Sequence, residues 1–411
     1  MSNNAVGDPL SRPVRVGIVG AGNRGIRCLG TRIAELTRET NMVVTAVADT
    51  STLRRTEAVA ELGRQFDRRG RHDLLIAAYA NHEELVAAPD VDIVLVTTPQ
   101  YAHRLPTLAS LSAGKHTYCD KPIAHTLEDA RAISAEESAR HTSVVLGFTR
   151  RYERTWREAY RVLESGDIGS LVMLQIRANI KGDVYFHKFY RRREWSGGVL
   201  NEKCAHHFDV FNWFAGSSPV SVAATGGTAV FVPEENGPTR CIDCGRDCPY
   251  RVEESSLSES RRSETDEIAR IDNCVFLPGA DIVDHAHVDV AYGNGVTASL
   301  FFSIFNPHAD DEETLELVGT KGRILLNRHT GRLDVIAEHG KRRYSISLSE
   351  DGEFVSSHFG ADLELIRHIR DWYDGSAAVA TAADGLVATS VSMAAIESIE
   401  QGGRRVELSA I

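Results

Sequence analysis

The chain has 411 residues, 42% of them hydrophobic and 25% charged, with a formal net charge of −11 at pH 7. That length exceeds one ordinary hydrophobic core, so two domains are expected, and the acidic balance argues against a nucleic-acid surface, which needs a basic excess to displace counterions from phosphate. The apolar runs fall short of the roughly 18 residues of a membrane span, and the start, Met1 to Pro13, is polar; the reading is a cytoplasmic protein whose partners are small molecules rather than nucleic acid or membrane.

Val14 to Val19 is a short run rich in β-branched residues, and it ends in glycines that open a helix-compatible stretch, Gly25 to Leu36. The pattern repeats with a strand over Met42–Ala48, a helix over Thr52–Leu62, a strand over Val91–Thr97, a helix over Leu105–Ser112, and a strand over His116–Cys119 that runs into Lys121-Pro122. Strands alternating with helices predict right-handed crossovers and a parallel sheet covered on both faces, which is why these strands are apolar throughout. After about Gly147 the pattern changes. From Leu171 onward, alternating apolar residues are separated by turn signals at Gly293-Asn294-Gly295, Gly319-Thr320-Lys321-Gly322 and Thr330-Gly331, which predict an antiparallel sheet. Helices are expected beside it at Tyr152–Ser165, Ala205–Phe214, Ala361–Asp374 and Leu386–Gln401. The segment 233–274 fits neither pattern, being rich in Cys, Glu, Ser and Arg, and reads as an insertion.

Gly20-Ala21-Gly22-Asn23-Arg24-Gly25 matches GxGxxG, in which the glycines serve a tight turn, close backbone approach to a pyrophosphate, and close packing of helix on strand. Here the motif follows a strand and opens a helix, and Asp49 stands at the end of the second strand, where a carboxylate accepts from ribose hydroxyls. The expected architecture is therefore α/β: a doubly wound parallel Rossmann sheet over residues 1–148, then an α+β domain over 149–411 with a large, open, mainly antiparallel sheet for substrate binding and oligomerisation. Asp49 should repel a 2′-phosphate, so NAD is expected, although Arg54 and Arg55 leave NADP open.

Seven cysteines, an odd number, argue against a disulfide framework. Cys241, Cys244 and Cys248 form CxxCxxxC, and with Cys274 they would suit a closed tetrahedral zinc site that staples the insertion; an iron–sulfur cluster, a disulfide or free thiols are the alternatives. Cys28, Cys119 and Cys204 read as small buried hydrophobes. Asp284, His285 and His287 look metal-like, but strand alternation puts both histidines on one face of an ordinary sheet. Arg151, Tyr152, Arg193 and Trp195 could line a sugar site, since aromatic faces stack on sugar C–H surfaces and arginines donate to hydroxyls; ordinary packing is the alternative for each.

The residues resemble the Gfo/Idh/MocA oxidoreductase family from Arg15 to nearly the C-terminus. The resemblance rests on Thr98-Pro99-Gln100 with His103, Ala113-Gly114-Lys115-His116, Asp120-Lys121-Pro122, Gly147-Phe148 with Arg151-Tyr152, and Gly197-Gly198 leading to Glu202 and His206 with Asp209. It implies that Lys121 lies beside the nicotinamide and the reacting hydroxyl, that Glu202 and His206 supply the acidic residue and histidine of the substrate domain, and that the bond before Pro122 is cis. It also implies that Thr98, Pro99, His103 and Asp120, with the glycine loop including Asn23 and Arg24, surround the cofactor, and that the protein is a homo-oligomer, a dimer or tetramer, through the open sheet face. Asp120 replaces the usual Glu and Glu202 the usual Asp.

The activity so implied is NAD-dependent hydride transfer between nicotinamide and a ring hydroxyl of a sugar, glycoside or cyclitol. Such chemistry needs a group to take the hydroxyl proton and a positive charge for the developing alkoxide. His206 has the intrinsic pKa of a base near neutral pH, Lys121 can donate to the same oxygen, and Glu202, one helical turn before His206, can orient the imidazole. His207 is the rival base or a substrate contact. Two other readings remain: a redox-neutral, NAD-dependent cleavage of glycosides through a transient keto-sugar, and a non-catalytic regulator that binds dinucleotide or sugar.

Overall fold

The computed structural model describes residues 12–140, 142–257, 262–309, 311–348 and 358–409. The polar start of the chain, except Arg12 and Pro13, lies outside them. Two compact units are formed, Met1–Arg154 with Glu353–Leu386, and Thr155–Gly352 with Val387–Ile411.

The first unit holds a six-stranded parallel sheet of β1 (Val14–Val19), β2 (Met42–Ala48), β3 (Ala77–Tyr79), β4 (Ile93–Val96), β5 (His116–Cys119) and β6 (Val144–Leu146), in the order β3-β2-β1-β4-β5-β6. This is the doubly wound Rossmann order, whose direction reverses between β1 and β4 and so leaves a crevice at their C-terminal ends. Every residue of β2 and β4 is buried, as a sheet covered on both faces requires. The helix expected from Gly25 instead begins at Asn23, as a π-helical stretch to Gly30 that continues into an α-helix over Thr31–Glu35. Helices over His82–Ala87 and Leu127–Ser138 were not anticipated, although both are capped in the usual way: Asn81 accepts from the Glu84 amide and Thr126 from the Asp129 amide.

The helix Ala361–Tyr373 lies in this unit, whereas the sequence suggested the second domain. Leu365, Ile366, Ile369 and Trp372 share one buried core with Ile18, Leu29, Ile33, Val44 and Phe66. The Trp372 indole donates to Ser143 Oγ at 2.8 Å, and the Leu146 amide donates to the Ala380 carbonyl at 2.9 Å. Residues far along the chain therefore complete the cofactor-side unit.

The second unit is built on a nine-stranded sheet of β7 (Leu171–Asn179), β8 (Pro219–Gly227), β9 (His285–Tyr292), β10 (Thr297–Ser303), β11 (Glu313–Gly319), β12 (Gly322–Asn327), β13 (Arg332–Ala337), β14 (Arg342–Ser347) and β15 (Val406–Glu407). Its order is β14-β13-β12-β11-β7-β10-β9-β8-β15, and all pairs are antiparallel except β7 with β10. The turn signals at 293–295, 319–322 and 330–331 all join neighbouring antiparallel strands. One face is buried through Leu174, Ile176, Leu300, Phe302, Leu315 and Leu317, while Met173, Phe301 and Leu325 on the other are 49%, 50% and 41% exposed. Among the described residues one helix, Ala382–Glu400, is long and apolar enough to cross a membrane, but 61% of its apolar window is buried within the protein.

The insertion proves better anchored than its composition suggests. Phe231, Tyr250 and Phe276 form an aromatic cluster with Phe186, with centroids 4.6 Å apart for Phe186–Phe231 and 4.9 Å for Phe231–Tyr250. Arg240 and Asp272 form a buried pair at 2.9–3.2 Å, and the buried Arg191 is paired with Glu267. Asp284 is buried beside it and accepts from three successive backbone amides, Ala229 at 3.0 Å, Val230 at 2.7 Å and Phe231 at 3.0 Å, and also faces His285 Nδ1 at 2.8 Å. Replacing Asp284 with Ala strands these three donors, each at about 1–3 kcal/mol when buried. Urea unfolding should show a loss of about 3 kcal/mol or more for Asp284→Ala, and a loss below about 1 kcal/mol would mean that water replaces the carboxylate.

Candidate functional site

The glycine loop is shaped by close approach. Gly20 has φ +98°, and a Cβ there would lie 2.7 Å from the Thr97 carbonyl carbon and the Thr98 nitrogen. A Cβ on Gly25 would lie 2.4 Å from the Gly20 oxygen and from Thr97 Oγ1. The Thr97 hydroxyl fastens the contact by donating to the Gly20 carbonyl at 2.9 Å. Gly22 meets nothing and stands on the open side of the loop, where a pyrophosphate would approach. Asp49 closes the loop: one carboxylate oxygen accepts from the Ala21 amide at 2.9 Å and the other from the Ser51 amide at 2.9 Å. Arg55 donates to the Asp49 carbonyl and to the Thr52 hydroxyl, which engages it within its own turn. Asn23 faces Cys28 Sγ at 3.6 Å.

The Lys121-Pro122 bond is cis, as the resemblance implied. Pro99 leads a short turn over Gln100–Ala102. His103 is buried, with Nε2 2.8 Å from the Thr98 carbonyl oxygen and Nδ1 2.9 Å from that of Pro122, so it spans the segments that follow β4 and β5. Burial pushes its pKa down. His103 thus clasps the segments that follow β4 and β5 through its two ring nitrogens. Arg24 and Asp120, both expected at the cofactor, are paired with each other at 3.2 Å.

In the second unit Gly197 and Gly198, with φ of +69° and +89°, turn the chain into the short helix Val199–Glu202 and then the helix Ala205–Ala215. Glu202 and His206 are each 7% exposed, buried in the main yet still accessible at one edge. His207, adjacent on the helix and about 100° around it, is fully buried. Its Nε2 lies 3.3 Å from Glu313 Oε1, and Glu313 Oε2 accepts from Arg328 at 3.1 Å. Full burial removes His207 as rival base and as substrate contact: its ring faces the buried Glu313–Arg328 pair. Lys121 belongs to the first unit, and Glu202 and His206 to the second.

The suggested sugar contacts fare unevenly. Arg151 donates to Asp384 at 2.9 Å and to the Val379 carbonyl at 2.6 Å, and Tyr152 is a core residue packed beside His368 at 5.5 Å. Both are framework residues of the first unit, held by the returning segment. Arg193 forms ion pairs with Glu400 and Asp281, and the Trp195 indole donates to Glu194 at 3.1 Å. Cys241, Cys244, Cys248 and Cys274 are all free thiols, close enough together that the first three, after burial, raise the Cys274 pKa. Among the described residues no three His, Cys, Asp or Glu side chains are grouped as a metal site. The expected zinc site is therefore not assembled; aromatic packing and the Arg240–Asp272 and Arg191–Glu267 pairs hold the insertion in its place. Cys119 and Cys204 are buried as expected, and Cys28 is half-buried.

Residues 14–148 match the family described as "Oxidoreductase family, NAD-binding Rossmann fold", and residues 161–408 match its "C-terminal alpha/beta domain". The chain belongs to the Gfo/Idh/MocA family of oxidoreductases. Oxidoreductase YteT of Bacillus subtilis is 28% identical over 269 residues, 60% of this chain and 62% of that protein. Inositol 2-dehydrogenase of Ralstonia nicotianae is 31% identical over 212 residues, 51% of this chain and 56% of that protein. The chain thus spans about three-fifths of the length of these curated relatives. Levoglucosan dehydrogenase, solved with NADH and levoglucosan, shares the fold with a TM-score of 0.72 at 17% identity, over 97% of this chain and all of that one.

A methyl group at Gly25 would press on the loop that must receive the dinucleotide. Gly25→Ala should therefore weaken NADH binding at least about tenfold, the effect of displacing a bound group by about an ångström or less. Fluorescence titration measures this, and unchanged affinity would mean that the loop relaxes around the extra carbon.

Proposed function

We propose that this member of the family is an NAD-dependent dehydrogenase that transfers hydride between the nicotinamide and a ring hydroxyl of a sugar, glycoside or cyclitol. The observation that carries the reading is the glycine loop at the β1/β4 reversal, closed by the Asp49 carboxylate. The inositol and levoglucosan dehydrogenases among the similar proteins support the substrate class.

NAD, when bound, supplies the redox step. Lys121 donates to the reacting oxygen and offsets its developing charge, His206 takes the hydroxyl proton, and Glu202 keeps the imidazole or a neighbouring hydroxyl in register. His207 buttresses the helix that carries His206. Trp195 and Arg193 remain substrate contacts in this proposal, with Arg193 exchanging an ion pair for a substrate hydroxyl.

The test is incubation of the protein and NAD with a panel of sugars, cyclitols and glycosides, following NADH absorbance and product mass together. The expected outcome is stoichiometric NADH and a keto product. Lys121→Ala and His206→Asn should each lower turnover by about a hundredfold to ten-thousandfold, with NADH affinity near wild type. If both variants keep turnover, the dehydrogenase reading is wrong. NAD should be preferred to NADP because Asp49 meets a 2′-phosphate charge to charge, and equal efficiency with NADP would overturn that preference.

We further propose a homo-oligomer through the open sheet face, where Met173, Phe301 and Leu325 are exposed. Phe301→Arg should lower the mass seen by light scattering, whereas a wild-type monomer would exclude the assembly.

A further inference from the structure

The returning segment that follows the sheet of the second unit brings a charged group to the glycine loop. Arg24 Nη1 donates to Asp362 Oδ1 at 2.6 Å, Nε to Asp120 Oδ1 at 3.2 Å, and Nη2 to the Tyr118 hydroxyl at 3.1 Å. The Tyr118 hydroxyl in turn donates to Asp120 Oδ1 at 2.8 Å, and His358 Nδ1 lies 2.8 Å from Asp362 Oδ2. Tyr118 is fully buried and Asp362 is buried, while Arg24 and Asp120 are partly buried, with side chains 17% and 15% exposed. A Cβ on Gly147 would lie 2.4 Å from the Tyr118 oxygen and 2.6 Å from Asp120 Oδ1, so the motif glycine there leaves room for this network.

Two carboxylates thus share one guanidinium. A planar fork can serve three acceptors in different directions, which a point-charge ammonium cannot. Arg24 belongs to the loop that receives the dinucleotide, and Asp120 precedes Lys121. Asp362 comes from a third place, a helix start 338 residues after Arg24 in the chain. The guanidinium is therefore committed to joining these segments and is not directed at a pyrophosphate.

We propose that Asp362 is a positioning residue for dinucleotide binding: through Arg24 it fixes the glycine loop and the Asp120-Lys121 turn in one arrangement. The inference rests on the NAD-dependent reading. Burial pushes the Asp362 carboxyl up, but His358 and Arg24 outweigh that and hold it at about 2. A depressed carboxyl contributes stability above its ordinary value near ~3.9 and loses it as pH falls through about 2, so the network is intact across the neutral range.

The experiment measures NADH affinity by fluorescence, without substrate, for the full chain and the variants Asp362→Asn, Tyr118→Phe and Glu39→Gln, with melting temperatures taken with and without NADH. Asp362→Asn should weaken NADH binding about tenfold to a hundredfold and shrink the thermal shift that NADH produces. Tyr118→Phe keeps the ring and loses only the hydroxyl, so it folds where the charge variant fails, and it should weaken binding about threefold to tenfold. Glu39→Gln breaks the exposed ion pair with Arg367 on the same returning helix and should leave affinity within about twofold. A purely structural role would lower the melting temperature of the free protein without changing NADH affinity in the folded protein. Unchanged or tighter NADH binding by Asp362→Asn, or by Tyr118→Phe if the former does not fold, overturns the proposal. Wild-type protein that does not bind NADH overturns the nicotinamide reading and this inference with it.

Discussion

The close approach of Gly20 and Gly25 to the Thr97–Thr98 peptide is the constraint on which the cofactor side of this protein depends. It requires β1 and β4 to be neighbours, which only the reversed strand order provides, and it admits no side chain at either glycine. Once the loop is seated on Thr97, the Asp49 carboxylate can bridge the Ala21 and Ser51 amides, and Arg24 is aimed inward at Asp120 instead of outward. Sequence, register and electrostatics agree at this one place, as expected where a fold and a binding site share their residues.

Both units bury charge, and in each case the charges are satisfied by partners from distant segments. In the first, Arg24 joins Asp120 to Asp362; in the second, Glu313 joins His207 to Arg328, and Arg240 meets Asp272 within the insertion. A buried pair adds little to stability compared with apolar packing of the same volume, but losing one partner is costly. Such pairs therefore fix which segments meet more than they strengthen the meeting.

Much of the fold was legible because its signals are local. The bounds of β1, β2 and β5 follow from apolar runs, and the hairpins of the second sheet from their glycines. Asp49 and the loop were readable for the same reason. The sugar-contact and packing readings of Arg151 and Tyr152 could not be separated in the sequence because their partners, Asp384, Val379 and His368, lie more than two hundred residues further on. The insertion looked too polar to order itself because it brings only Tyr250 to the aromatic cluster, whose other rings, Phe186, Phe231 and Phe276, lie outside it. Helical geometry shows that His206 and His207 face different ways, yet only Glu313 reveals which of them is turned into the core.

The parallel pairing of β7 with β10 sets an order of assembly. β7 is made early in its unit, but its two neighbours are β10 and β11, more than a hundred residues later, and the first unit lacks part of its core until Ala361–Tyr373 has been made. Folding must close these long loops before any contact compensates for the lost chain entropy, which slows it. During synthesis β7, with its exposed Val172 and Met173, waits without partners at the centre of its future sheet. The centre of the nine-stranded sheet is thus among the last parts of its unit to become native, and it is the place where a nascent chain most needs protection from other chains.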